Sequence, residues 1–203
     1  QRIPFKYVFI KKKFNYIPNG IKFKLKKIDS EKKKNSFLYV GRLVKQKGID
    51  TLIEVLKKDE EFKITIVGDG PLKSMLEIVK KQVTFIGYSQ QISTFYEESK
   101  FLILPSFTEG MPNVVLESIC FGVIPILSDI PQHKQLFSDN KEVIFFKVGD
   151  AKSLENAILK ARNLSQFEIE VMTLNLKKVL SKFNTDTMIE KYFNYYDELF
   201  NKN

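Results

Sequence analysis

The sequence predicts an α/β fold: a Rossmann-like parallel sheet with helices on both faces, followed by C-terminal helices. Three observations carry this. Short apolar runs of strand propensity alternate with segments whose apolar residues recur at helical spacing. The glycines, prolines and polar clusters gather in the loops after those runs, at 41–48, 68–71, 87–89, 105–113 and 128–133, and ligands of such sheets bind past the carboxyl ends of the strands. The 203 residues are enough for one α/β domain with appendages.

In chain order, residues 1–36 hold apolar pieces broken by Lys11-Lys12-Lys13, then a turn signal at Pro18-Asn19-Gly20. Ile21 to Lys26 alternates apolar and basic residues, and is read as a solvated edge that keeps neighbouring strands away. Phe37–Val40 is a strand, followed by Gly41-Arg42-Leu43, Lys45-Gln46-Lys47-Gly48 and a helix carrying Ile49, Leu52, Ile53, Val55 and Leu56. Phe62–Val67 is the next strand, ending at Gly68-Asp69-Gly70-Pro71 before a helix from Leu72 to Lys80. That turn lacks the third glycine of the dinucleotide fingerprint, which argues against a dehydrogenase. Val83–Tyr88 is a strand and turn, and Ser89 caps a helix over 90–99. Phe101–Leu104 and Val123–Leu127 are further strands, with Pro125 out of place in a central one. Val143–Phe146 is the last strand. Asp150 caps a helix over 151–162, Ser165 precedes another, and Thr185 begins a final helix with a wide apolar stripe.

Net charge is +9, but residues 1–34 hold twelve Lys or Arg against two acids, so the rest is close to neutral. No nucleic-acid motif accompanies the basic segment, and no nucleic acid is expected as partner. An anionic membrane surface is the other partner such a segment suits. No apolar run approaches the ~20 residues that span a bilayer. The lone Cys120 excludes an internal disulfide, fits a reducing compartment and reads as a small core residue. His133, the only histidine, is read as structural rather than as an acid or base.

The stretch from Pro105 to Ser118 organises the rest. It joins the strand Phe101–Leu104 to a helix over 114–121. Pro112 suits the first helical position, and Gly110 lets backbone approach a ligand. The N–H groups of Gly110, Met111 and Asn113 would point outward at the helix start, where anions bind. Glu117, in the second turn, leans back toward that start, so Glu109 and Glu117, with seven residues between them, could face one pocket.

Glu109-Gly-Met-Pro-Asn-Val-Val-Leu-Glu117 resembles the E-x7-E motif of the group 1 (family 4) retaining glycosyltransferases, which have the two-domain GT-B fold. The flanking order agrees. Ile17-Pro18-Asn19-Gly20 resembles the segment that enters the family's second domain. Gly41-Arg42-Leu43 with Lys47-Gly48, Gly68-Asp69-Gly70-Pro71 and Ser128-Asp129-Ile130-Pro131-Gln132-His133 resemble its later motifs, although Gln135 stands where an acid is common. The resemblance implies the C-terminal, nucleotide-sugar-binding half of such an enzyme. Arg42 and Lys47 would hold the diphosphate, whose growing negative charge paired cations stabilise. The backbone of Phe85, Ile86 and Gly87 would meet the base, Glu117 the ribose hydroxyls, and Glu109 with residues Gly110, Met111, Pro112 and Asn113 the donor sugar. Arg42, Lys47 and Glu109 would thus carry the catalysis, with no cofactor and, for want of an Asp-x-Asp motif, no metal. The donor would be a nucleotide diphosphate sugar, foremost a UDP-sugar.

The expected organisation is a basic segment and linker end over 1–36, the nucleotide-sugar-binding domain over 37–162 and C-terminal helices over 163–203. The acceptor domain is expected to be absent, so that this piece alone transfers nothing. The acceptor, a sugar or a lipid-linked sugar, would bind through that domain. Cytoplasmic placement is expected, with peripheral attachment to the inner face of the cell membrane left open. Competing readings are a sugar-nucleotide epimerase of the same fold, which needs more acid/base residues than His133, and a non-catalytic nucleotide-sugar-binding module.

Overall fold

The computed structural model describes residues 36–137 and 141–201, together with Ile17, Gly20 and Ile21. The turn at Pro18-Asn19 and the alternating run 22–26 lie outside the described residues. Six parallel strands, β1 (Phe37–Val40), β2 (Ile64–Val67), β3 (Val83–Gly87), β4 (Phe101–Leu104), β5 (Ile124–Ser128) and β6 (Ile144–Phe146), form one sheet in the order β3-β2-β1-β4-β5-β6. β1, β4 and β5 are buried on both faces, which is why they read as unbroken apolar runs rather than as alternation. Helix α1 (Ile49–Lys58) shares one face with a later helix, α5 (Ala151–Arg162). Helices α3 (Asn113–Cys120) and α6 (Gln166–Ser181) share the other, with α2 (Ile92–Glu98) held to α3 through the Tyr96–Phe121 ring contact. A short α4 (Pro131–Leu136) follows β5, and α7 (Thr185–Phe200) closes the chain.

Several expectations change in detail. The segment predicted as a helix over 72–80 is a 3-10 run, Lys73–Val79. Its buried residues, Leu76 and Val79, are three apart, which matches three residues per turn. Ser89 does not cap α2: its hydroxyl accepts the Gln91 N–H in a local turn, and the helix starts after Gln91. The strand expected from Phe62 starts at Ile64, because the Phe62 N–H is taken by the Asp59 carboxylate at 3.0 Å. Helix α4, begun by Pro131 at its first position, was not anticipated. The caps at Asp150 and Ser165 form as expected, the latter as a full capping box with Glu168.

Pro125 also finds its reason. In a parallel strand, alternate residues direct their N–H groups to opposite neighbours. The Ile124 N–H goes to the Lys100 carbonyl, on the β4 side, so the Pro125 nitrogen faces the β6 side. β6 pairs with β5 only from Ile126 onward, so no donor is missed at Pro125.

β1 and β4 pair only at Phe37–Phe101 and Leu38–Leu102. Beyond those pairs each strand keeps its outer neighbour, β1 on β2 through Val40–Val67 and β4 on β5 through Leu104–Leu127. The sheet therefore parts at the carboxyl ends of its two central strands, where the strand order reverses. The loops 41–48 and 105–113 both enter this crevice and are joined there: the Phe107 N–H donates to the Gln46 carbonyl at 2.9 Å. Gly48 has φ +65°, and a Cβ on it would stand 1.9 Å from the Pro105 carbonyl oxygen.

Gly48→Ala is expected to cost at least about 1 kcal/mol from backbone strain alone, with the clash at Pro105 adding to it. Urea denaturation of the variant beside the wild type checks this.

Candidate active site

The crevice holds an ion pair built from both loops. Lys47 ends a 3-10 turn, Lys45–Lys47, that Gly48 closes in the left-handed conformation. Its Nζ reaches both carboxylate oxygens of Glu109 at 2.7 Å. The Glu109 side chain is only 6% exposed against 20% for Lys47, so the pair is largely withdrawn from water and its hydrogen bonds are charge-assisted. Ser106 adds a third, its hydroxyl donating to Glu109 Oε1 at 2.5 Å. Below them Tyr39 donates to the Arg42 carbonyl at 2.9 Å. Burial, then the Glu109 charge, pushes its phenol above the usual range and keeps it neutral. The Arg42 side chain is exposed at the mouth of the same loop, with no ion pair among the described residues.

Helix α3 spans Asn113–Cys120 where a helix over 114–121 was expected, and Pro112 lies just outside it instead of at its first position. Pro112, at ψ 72°, is the capping residue, and its carbonyl accepts from Val115 and Leu116. The Asn113 N–H turns back to the Met111 carbonyl at 2.9 Å. It therefore leaves the set of outward-facing N–H groups expected at this helix start. Gly110 faces open space. Glu117 is half-buried one turn into α3, where the Tyr96 hydroxyl approaches its Oε2 at 3.4 Å. Burial and the Glu117 charge together raise the Tyr96 phenol. The two carboxylates thus have separate partners, Lys47 and Ser106 for one and Tyr96 for the other.

At the far end of the sheet, β3 slips register against β2 between Phe85 and Gly87. The extra residue is Ile86, which turns outward, 40% exposed. Gly87, at φ +78°, also faces open space, while its carbonyl is taken by the Gly68 N–H at 2.8 Å. Lys73 Nζ lies 5.0 Å from the Phe85 ring centre.

On the other side, the loop after β5 is tied down by Asp129, whose carboxylate accepts the Val148 N–H at 2.9 Å. That bond, assisted by Lys134, holds the carboxyl below its usual range. His133, Ser128 and Ser106 are fully buried. His133 Nδ1 lies 2.8 Å from the Ser128 carbonyl oxygen, and the Ser128 hydroxyl donates to the Ser106 carbonyl at 2.5 Å. Among the described residues no group of three or more His, Cys, Asp or Glu is placed to hold a metal. No helix there is long and apolar enough to cross a membrane.

The family model for group 1 glycosyl transferases matches residues 21–171, most of the chain. The chain belongs to the group 1 glycosyltransferase family. It is 30% identical over 173 residues to a Campylobacter jejuni α-1,4-N-acetyl-D-galactosaminyltransferase acting on a diphosphoundecaprenol-linked glycan, covering 80% of this chain and 48% of that protein. It is 28% identical over 213 residues to an Escherichia coli UDP-Gal:α-D-GlcNAc-diphosphoundecaprenol α-1,3-galactosyltransferase, covering 92% of this chain and 54% of that one. Sucrose-phosphate synthase from Thermosynechococcus elongatus superposes with a TM-score of 0.77 at 21% identity, over 92% of this chain and 53% of that one. The chain therefore spans about half the length of these relatives.

Within this family member, the site residues missed in the sequence are Ser106 and Ser128. Their only signal was a hydroxyl at the carboxyl end of an otherwise apolar strand. Cys120 is buried as expected, and burial pushes its thiol up to about 11. His133 is held neutral chiefly by burial, with Glu109 and Lys47 acting on it in opposite senses.

A histidine with a depressed folded pKa binds fewer protons folded than unfolded once pH falls below its unfolded value of 6.5. Stability is therefore expected to fall as pH drops through that value, with a slope of at most about 1.4 kcal/mol per pH unit. Urea unfolding between pH 7.5 and 5.5 checks this, and His133→Asn should flatten the dependence over that window.

Proposed function

We propose that this chain is the donor-binding half of a retaining glycosyltransferase that moves a sugar from a nucleotide diphosphate sugar to an acceptor hydroxyl. The observation that carries the reading is the Lys47–Glu109 pair in the crevice between β1 and β4. A cation from one central loop meets a carboxylate from the other, where sheets of this order bind nucleotides. Lys47 and the exposed Arg42 neutralise the diphosphate. As the glycosidic bond breaks, the leaving oxygen gains charge, and the two cations stabilise it. The acceptor oxygen forms the new bond on the face that the phosphate leaves, and its proton passes to the departing phosphate. Retention follows from that geometry, and neither Glu need act as a glycosidase-type acid or nucleophile. Glu117 receives the ribose hydroxyls. Glu109, with the Gly110–Met111 backbone, orients the donor sugar, and the outward bulge at Ile86 meets the base.

A UDP-sugar is the donor of choice, since the Escherichia coli relative takes its name from UDP-Gal. Both relatives named above act on diphosphoundecaprenol-linked acceptors, which supports a lipid-linked acceptor here, met at the cytoplasmic face of the membrane. The acceptor is held by a further domain outside this chain. The stripe on α7, with Tyr192, Phe193, Tyr196 and Phe200 all exposed, supplies an apolar surface for that domain. No cofactor or metal enters this scheme.

Calorimetric titration of the chain with UDP, GDP and ADP tests the reading. Binding of UDP is expected. Arg42→Ala should weaken it about tenfold or more, as loss of a charged hydrogen bond worth about 1.5–3 kcal/mol implies, and Glu117→Ala should weaken it as well. Sugar transfer is expected only in the full-length protein. UDP affinity unchanged in both variants would place the site elsewhere.

A further inference from the structure

Beneath the Lys47–Glu109 pair lies a layer of polar groups that the proposed chemistry does not use. A carbonyl oxygen has no proton to give, so at 2.8 Å from the Ser128 carbonyl the His133 Nδ1 carries the hydrogen and donates. The Ser128 hydroxyl passes the connection to the Ser106 carbonyl, and the Ser106 hydroxyl passes it to Glu109 Oε1. The line runs from α4 through the end of β5, across to the end of β4, and onto the carboxylate. Burying three polar side chains costs desolvation that apolar residues of the same size would avoid. Core packing alone does not explain the imidazole either, because its Nε2 is buried and makes no hydrogen bond among the described residues.

We propose that His133 is a positioning residue for Glu109, fixing the orientation of that carboxylate through Ser128 and Ser106. The inference rests on the reading of Glu109 as the residue that faces the donor sugar. Without ligand, Lys47 holds both oxygens of Glu109. A bound diphosphate competes for Lys47, and Ser106 is then the partner that remains. The relay keeps Ser106, and with it Glu109, in place while Lys47 changes partner. A misplaced reacting group costs up to about a hundredfold in rate, so the effect belongs to turnover and not to nucleotide affinity.

The test follows the Glu109 carboxyl ¹³C resonance in the chain labelled with ¹³C-glutamate, assigned by its loss in Glu109→Gln. His133→Asn keeps an N–H where Nδ1–H stands. His133→Gln moves the amide to the Nε2 end, and His133→Leu fills the space with no donor. Ser128→Ala breaks the relay one step on. The resonance is expected to move in the Gln, Leu and Ser128→Ala variants and to return to its wild-type position in His133→Asn. In the full-length protein, UDP-sugar turnover should fall about ten- to a hundredfold in the same three variants, with UDP affinity held within about twofold. A resonance unmoved in all four variants would overturn the inference. So would equal movement in all four that tracks a falling thermal midpoint, which would mean packing alone. Addition of UDP-glucose to wild-type chain tests the underlying reading separately. If Glu109 does not respond to it, the donor-site assignment fails, while the hydrogen-bond relay is still judged by the variant series.

Discussion

The parting of β1 from β4 after two residue pairs is the constraint on which the rest depends. Strands in a parallel sheet stay together only while their ladder continues. Once these two diverge, each held by its outer neighbour, the chain segments leaving them must fill the gap. One brings Lys47 and the other brings Glu109, and the two form an ion pair across the crevice. A buried carboxylate is costly unless it is paired and hydrogen-bonded. Glu109 meets that condition three times over, with two bonds from Lys47 and one from Ser106. The close passage of Gly48 against Pro105 keeps the two loops at the separation the pair needs.

The same parting explains why the site is open. A single sheet of this order offers only one wall to a ligand at its carboxyl end. The described apolar pocket, lined by Ile144, Leu164, Phe167 and Met172, lies instead between β6, α5 and α6. Both ends of the domain also meet at one place. The Ile21 N–H donates to the Phe183 carbonyl at 2.7 Å, and Gly20 lies so close to Thr185 that a Cβ would stand 2.5 Å from its Cα. The chain thus enters the domain where α7 leaves it, and α7 carries no buried residue of its own.

Much of the fold was legible because its signals are local. β1, β4 and β5 announced themselves as apolar runs, α1 through its periodic Ile and Leu residues, and α5 and α6 through Asp150 and Ser165, whose capping needs only residues within one turn. The two stretches that meet in the crevice were legible for the same reason: Glu109 and Gly110 sit in one, which runs on to Glu117, and Arg42 and Lys47 in the other. What escaped was set by neighbours distant in sequence. Local pattern predicted α-helix over 72–80, and the spacing that the sheet could bury made it 3-10. The position of Pro112 was off by one because the Asn113–Met111 bond holds the preceding turn open.

By itself the sequence determined the alternation of strands and helices and the loops that carry charge. Composition and periodicity suffice for these because each depends on residues a few positions apart. Only the tertiary structure decided that Lys47 and Glu109, sixty-two positions apart, are bonded to each other, and that Glu117 has a partner of its own in Tyr96. It also decided that Ser106, Ser128 and His133 form one line to the carboxylate. Tyr96–Glu117 joins α2 to α3; the other contacts join segments that leave adjacent parallel strands, and which strands are adjacent is a property of the sheet order, which no local pattern encodes.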